Sequence, residues 1–197
     1  MKRAVHCAAL VLMMLPAAGS TQDFDAGFAA YEAGDYATAL REWTALGKSG
    51  NMHAQFNLAH MFENGLGVQQ NDAAAATWYR LAAEQGDMRA QANLGVSYAE
   101  GRGVAQDYAE ATKWFRLAAE QGDSIAQFNL GIQYFYGDGV PEDYVTAYMW
   151  ASLAVANGHV AARDLRENII SGLSPANLSE AERRAKACMA SGYQGCD

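Results

Sequence analysis

Proline is nearly missing, with three residues in 197. That scarcity excludes a linker-rich or proline-rich disordered chain, and 51% apolar residues are enough for one continuous core. Basic side chains are also few, 14 against 22 acidic, for a net charge of −8. Such a surface repels phosphate backbones and anionic lipid heads, which argues against nucleic acid and membrane surfaces as partners. The chain lacks a glycine-x-serine-x-glycine elbow, a serine-x-x-lysine pair, a histidine-glutamate-x-x-histidine helix and a phosphate loop with a lysine. No enzyme class is spelled out, and the residues call for no cofactor. The apolar stretch at residues 4–15 is shorter than the roughly 20 residues a membrane helix needs, so stable insertion is not expected.

That stretch has a different meaning. Met1-Lys2-Arg3 forms a positive start, and Ala17-Ala18-Gly19-Ser20 supplies the small residues that a signal peptidase accepts. The order predicts a signal peptide over residues 1–19, cut near 19/20 or 20/21, and hence a periplasmic or secreted protein. Cleavage removes Cys7 and leaves an even pair, Cys188 and Cys196, which an oxidising compartment is expected to bridge. It also removes Lys2 and Arg3, leaving 12 basic residues against 22 acidic ones and a net charge of −10.

The most informative positive feature is a recurrence. Ala54-Gln55-Phe56-Asn57-Leu58-Ala59 returns as Ala90-Gln91-Ala92-Asn93-Leu94-Gly95 and as Ala126-Gln127-Phe128-Asn129-Leu130-Gly131, each copy 36 residues after the last. A fixed period of 20 to 50 residues marks one supersecondary unit, stacked so that each copy buries its apolar face against its neighbours. In the middle copy Ala90, Leu94 and Tyr98 form the stripe of a short helix that stops at Gly101-Arg102-Gly103. Asp107 offers an N-cap with Glu110 at the capping-box position, and Ala111, Trp114, Phe115, Ala118 and Ala119 stripe a second, longer helix that stops at Gly122. The flanking copies repeat this with Asn71 and Asp143 as caps. Trp78, Trp114 and Trp150 are expected to fill the interfaces, and Ala59, Gly95 and Gly131 to allow close helix approach.

This column pattern, with leucine-glycine, glycine-x-glycine-valine, aspartate, tryptophan and alanine-alanine at 36 residues, resembles the Sel-1-like repeat (SLR) family, a relative of the tetratricopeptide repeats (TPR). The resemblance covers residues 54–161 and implies an all-α, right-handed superhelical solenoid of helical hairpins. The expected units are repeats at 54–89, 90–125 and 126–161. Before them, residues 22–53 resemble a plain TPR hairpin, with Tyr31, a bare Gly34-Asp35 turn and Trp43. After them, residues 162–197 form capping helices with a disulfide tail. The helix over 143–157 is apolar nearly all round and must be covered on both sides. A helix with Leu165, Ile169, Ile170 and Leu173 and a last one from Ser174-Pro175 to Gly192 are expected to cover it.

The family resemblance implies a non-enzymatic scaffold or adaptor that takes a protein or peptide partner in a concave groove, in envelope signalling, surface polysaccharide control or host contact. By analogy with related arrays, the groove columns are Phe56, Ala92 and Phe128; His60, Val96 and Ile132; Glu63, Ala99 and Phe135; and Asn64, Glu100 and Tyr136. Phe128, Ile132, Phe135 and Tyr136 are either an apolar seat for the partner or core beneath a helix over 162–173. Asn57, Asn93 and Asn129 either clamp a peptide backbone or tether the neighbouring turn, the second reading being favoured. Two rival functions stand beside the scaffold. Some cysteine-rich members of the family bind or hydrolyse β-lactams, but their cysteine pairs lie within the repeats, and residues 54–161 contain none. His53 and His60, with Glu63, could also chelate a metal in a sensor. Asn177-Leu178-Ser179 spells a glycosylation sequon but falls within an expected helix.

Overall fold

Short polar side chains start the helices and glycines stop them. Asn51, Asp87 and Asp123 accept from the backbone N–H three residues on, at 2.9, 2.9 and 2.7 Å. Asn71 and Asp107 do the same at 3.0 Å each. Asp143 accepts from Val145 and Thr146. Each such bond satisfies one of the orphan donors of a helix start.

The computed structural model describes residues 23–196, all-α among those residues. Its helices are α1 Phe24–Glu32, α2 Tyr36–Lys48, α3 Met52–Asn64, α4 Asp72–Glu84, α5 Met88–Glu100, α6 Tyr108–Ala119, α7 Ser124–Tyr136, α8 Tyr144–Ala156, α9 Ala162–Ile170 and α10 Pro175–Ala190. From α1 to α9 each packs on the next, and α10 returns to α8. The result is a solenoid of helical hairpins closed by capping helices. The expected signal peptide and Cys7 lie outside the described residues.

The glycine-x-glycine turns set the spacing of the stack. Gly103 has φ 71°, and a Cβ there would sit 2.1 Å from the carbonyl oxygen of Asp72, at the start of α4 in the preceding hairpin. Gly139 meets the carbonyl oxygen of Tyr108 in the same way, at 2.4 Å. These turns therefore lie backbone against backbone on the first turn of an earlier helix, where only glycine fits.

The hairpins are fastened by buried amides. Gln55, Gln91 and Gln127 donate to the carbonyls of Gly47, Ala83 and Ala119, eight residues back, at 3.0, 3.1 and 3.2 Å. Their own oxygens accept from Gln85, Gln121 and Asn157, thirty residues on, at 2.6, 2.7 and 2.9 Å. A ladder with a 36-residue period thus joins successive hairpins. The tethering expected of Asn57, Asn93 and Asn129 belongs instead to glutamines two positions earlier. Asn129 donates to Ile125 within its own helix, at 2.9 Å.

The tryptophans pack at the interfaces as expected, but not deepest in them. Trp78 and Trp114 are half-buried against the core clusters, while their neighbours Tyr79 and Phe115 are each 1% exposed. Trp150 is buried, in a cluster with Ala185, Cys188 and Cys196 from the C-terminal segment. Both faces of α8 are covered as its composition required, by Leu165 and Ile169 of α9 and by Ala181, Ala185 and Cys188 of α10. The covering helix is shorter than expected, ending at Ile170, whose side chain is exposed.

Cys188 and Cys196 are bonded, with Cα atoms 5.1 Å apart. The bond holds a tail in which Tyr193 donates its hydroxyl to Asn157 and Gln194 donates to the carbonyl of Glu120, at 2.9 and 2.8 Å. The amide ladder therefore ends on the disulfide loop. No helix among the described residues is long and apolar enough to cross a membrane.

Candidate functional site

The twelve groove positions do not form one open surface. Phe128 stacks on His159, with ring centroids 4.3 Å apart. Ile132 and Phe135 are half-buried against the cluster that holds Leu165 and Ile169, because α9 folds over α7. Of that aromatic run only Tyr136, edge-on to Phe135, is largely exposed, at 66%. Phe128, Ile132 and Phe135 are thus partly covered at the C-terminal end without being core. In the middle hairpin Ala92 is buried, and Val96 and Ala99 pack on the core.

The polar columns are engaged with the protein itself. Glu63 accepts from the Tyr79 hydroxyl at 2.7 Å and pairs with Arg102 at 3.0 Å. Burial, and then the bond to Glu63, push the Tyr79 hydroxyl well above the usual phenol range. Glu100 pairs with the same Arg102 at 2.8 Å, and Asn64 donates to the carbonyl of His60. Glu63, Glu100 and Arg102 thus form a charge cluster across two repeats.

His53 and His60 do not converge, although both lie on α3. His53 Nδ1 is 3.7 Å from a carboxylate oxygen of Asp87, and its ring packs on Phe24. His60 faces Tyr31, with Nδ1 and the hydroxyl 3.4 Å apart, while Glu63 turns to Tyr79. Among the described residues no group of three or more histidine, cysteine or acidic side chains is placed to hold a metal.

A concave site does exist at the N-terminal end. Phe28, Tyr31, Trp43, Phe56, Asn57 and His60 line a cavity of about 250 Å³. The TPR-like hairpin supplies the first three, and α3 supplies the rest. Trp43 forms the rigid back wall. It is 1% exposed, donates its indole N–H to the carbonyl of Phe24 at 3.3 Å, and lies so close to Gly27 that a Cβ there would overlap its ring. Tyr31 packs against Trp43 and His60, with centroids 5.5 and 6.3 Å away. On the other side Phe56 is held between Tyr79, at 5.8 Å, and the guanidinium of Arg89, 4.0 Å over its ring. Phe28 remains 49% exposed at the mouth.

Two groove positions, Phe56 and His60, are therefore brought together, and they meet partners that the 36-residue comparison did not select. Phe28 and Tyr31 stand three apart on α1, a helical stripe that marks them in the sequence. Their role at a cavity depends on how α1 meets α3.

The Sel1 repeat model matches residues 53–87, 89–123 and 124–159. No protein among those with curated descriptions matches the chain. Among solved structures, a Sel1 repeat protein from Oxalobacter formigenes superposes with a TM-score of 0.67 at 35% identity, over 71% of this chain and 58% of that one. The protein c5321, a protective antigen present in uropathogenic Escherichia coli strains and displaying an SLR fold, superposes with a TM-score of 0.52 at 29% identity, over 86% of this chain and 46% of that one. The present chain thus spans about half the length of these relatives. Sel1 repeats are typically protein-interaction scaffolds. Three matched repeats over more than half of the sequence, and the same stacked hairpins in solved relatives, show that the chain belongs to the Sel1 repeat family.

Proposed function

We propose that the protein is an exported, non-enzymatic docking scaffold whose N-terminal aromatic cavity seats one apolar side chain of a partner's extended peptide segment. The cavity lined by Phe28, Tyr31, Trp43, Phe56, Asn57 and His60 carries this reading. Its volume of about 250 Å³ lies below the range of sites for drug-sized ligands, roughly 300 to 1,000 Å³. That size favours a single side chain over a cofactor. The half-exposed Phe28 offers apolar area at the mouth. The Asn57 amide makes no hydrogen bond among the described residues and is available to a peptide backbone.

Net charge points to the partner's chemistry. A chain at −8, or −10 without its first nineteen residues, favours a partner with basic residues flanking the apolar anchor. Export is supported by the composition of residues 1–19 and by the bonded pair Cys188 and Cys196, which suits an oxidising compartment. Envelope signalling, surface polysaccharide control and host contact are the roles to test in that setting.

Selection of displayed peptides on the purified protein tests the proposal. Enriched peptides are expected to share one large apolar residue beside basic ones, and to lose binding to Phe28→Ala and Phe56→Ala while still binding Tyr136→Ala. Binding that survives both cavity variants and is lost with Tyr136→Ala places the seat at the other end of the stack and overturns the proposal.

A further inference from the structure

Three helices carry the same pair of apolar side chains, and only the third copy of it is covered. Trp78 and Leu81 lie on α4, Trp114 and Leu117 on α6, and Trp150 and Leu153 on α8, each pair 36 residues after the last. Trp150 and Leu153 are 1% and 0% exposed, whereas Trp78 and Trp114 are half-buried and Leu81 and Leu117 are 39% and 45% exposed. The cover is the C-terminal segment, because α10 packs on α8 and places Ala185, Cys188 and Cys196 in the cluster around Trp150 and Leu153. The residue before each tryptophan agrees with this. Met149 is buried, where α4 and α6 have the exposed Thr77 and Lys113.

The segment seated on α8 defines the chemistry that this face accepts. The buried residues of α10 are Ala181, Ala185 and Cys188, at i, i+4 and i+7, a stripe of small side chains that lets the helix lie close. The same helix carries Arg183, Arg184 and Lys186 against Glu180 and Glu182, a net +1 in a chain of net charge −8. Just past its end, Tyr193 donates its hydroxyl to Oδ1 of Asn157 at 2.9 Å. Gln85 and Gln121 hold the place of Asn157 in the earlier copies. Both are exposed, and among the described residues neither side-chain oxygen accepts a hydrogen bond, so each is open to a donor from outside. The covered surface also runs on to α6, where Gln194 donates to the carbonyl of Glu120 and a Cβ on Gly122 would lie 3.2 Å from the Tyr193 ring.

We infer that the outer face of α4 and α6 docks a basic amphipathic helix of a partner, with small side chains along its apolar stripe and a tyrosine just past its end. The helix lies on Trp114 and Leu117, or on Trp78 and Leu81, as α10 lies on Trp150 and Leu153, and its tyrosine donates to Gln121 or Gln85. Single exposed leucines are ordinary on a protein surface. Here a tryptophan, a leucine and a carboxamide recur together, and the chain itself fills one copy of the three. The surface is separate from the N-terminal cavity and does not rest on it.

The probe is a synthetic peptide of residues 175–196 with its disulfide closed, which contains no tryptophan. It is titrated into the intact protein while acrylamide quenching of tryptophan fluorescence is followed. Quenching is expected to fall to a plateau as the half-buried Trp78 and Trp114 are covered. Leu81→Lys with Leu117→Lys, at exposed positions that do not endanger the fold, is expected to weaken the peptide by about tenfold or more. A peptide carrying Ala185→Leu is expected to bind as weakly, and Phe28→Ala in the protein to change nothing. Sedimentation of the protein alone is expected to show a monomer. Binding that persists in the double lysine variant assigns the peptide to exchange with α10 on α8 and overturns the inference. So do equal binding of a scrambled peptide, no saturable change in quenching, or a dimer that the lysine variant dissolves, which would give the face to a second copy.

Discussion

Gln121 donates its side-chain amide to Oε1 of Gln91 at 2.7 Å, across thirty residues of chain, while Gln91 donates in turn to the carbonyl of Ala83 at 3.1 Å. One buried side chain thus adds a bond to the Ala83 carbonyl near the end of α4, which also accepts from the Gly86 N–H, and receives the amide that follows α6. Replacing Gln91 with leucine removes both bonds of a buried side chain. The expected loss is about 2 kcal/mol, against about 1 for Gln121→Leu, whose own side chain is exposed. Urea denaturation of the two variants measures the difference, and equal effects would contradict the ladder.

Gly103 and Gly86 share a positive φ but not an environment. A Cβ at Gly86 meets nothing within 4 Å, whereas at Gly103 it meets the backbone of Asp72 and Ala73. Gly86→Ala is expected to cost about 1 to 2 kcal/mol for the left-handed conformation alone. Gly103→Ala is expected to cost about 3 or more, because the contact between hairpins must open as well. Thermal unfolding of both variants tests whether these turns space the stack.

The disulfide loop is expected to hold Trp150 in the dark. Closing a loop of this size restricts the unfolded chain by about 2 to 3 kcal/mol. The tail it holds places Cys188 and Cys196 in the cluster around Trp150. Reduction should lower the urea midpoint and raise quenching of tryptophan fluorescence by acrylamide. Unchanged stability after reduction would show that the bonds of Tyr193 and Gln194 hold the tail without it.

The start of α10 should be acid-sensitive. Hydrogen bonds from Arg183 and Arg184 hold the exposed Glu180 carboxyl down at about 2, from an ordinary value of 4.5. A depressed carboxylate stabilises the fold above its unfolded pKa, and that contribution is lost as pH falls through the folded one. Protection of the α10 amides, taken against the intrinsic exchange rate at each pH, is therefore expected to fall from pH 4.5 towards 2, and Glu180→Gln to flatten that dependence. An unchanged pH profile in Glu180→Gln would contradict the pairing.

The fold was legible because its signals are chemically distinctive. Caps such as Asp107, paired glycines such as Gly101 and Gly103, and a 36-residue echo leave few alternatives to stacked hairpins. The amide ladder was hidden in plain view. Gln55, Gln91 and Gln127 belong to the echo itself, but glutamine is ordinarily a surface residue, and its burial follows only from the turn it meets eight residues back. Trp78 and Tyr79 are adjacent in one wide apolar stripe, and periodicity cannot say which of two neighbours points further inward.

The site was half legible. Comparing copies column by column selects Phe56 and His60, but Phe28, Tyr31 and Trp43 lie in a hairpin outside the echo, where there is no copy to compare. The opposite aromatic run looked more apolar in sequence. Its fate depended on how far α9 reaches over α7, a long-range contact that no local pattern encodes.

The central claim is that a partner's apolar side chain enters the N-terminal cavity, and chemical-shift mapping tests it most directly. A peptide enriched by selection is titrated into isotope-labelled protein while the indole N–H of Trp43, the ring of His60 and the ring of Tyr136 are followed together. The account predicts that Trp43 and His60 shift in a saturable, parallel manner and that Tyr136 stays in place. A shift confined to Tyr136 and its neighbours, with Trp43 and His60 unmoved, would contradict it.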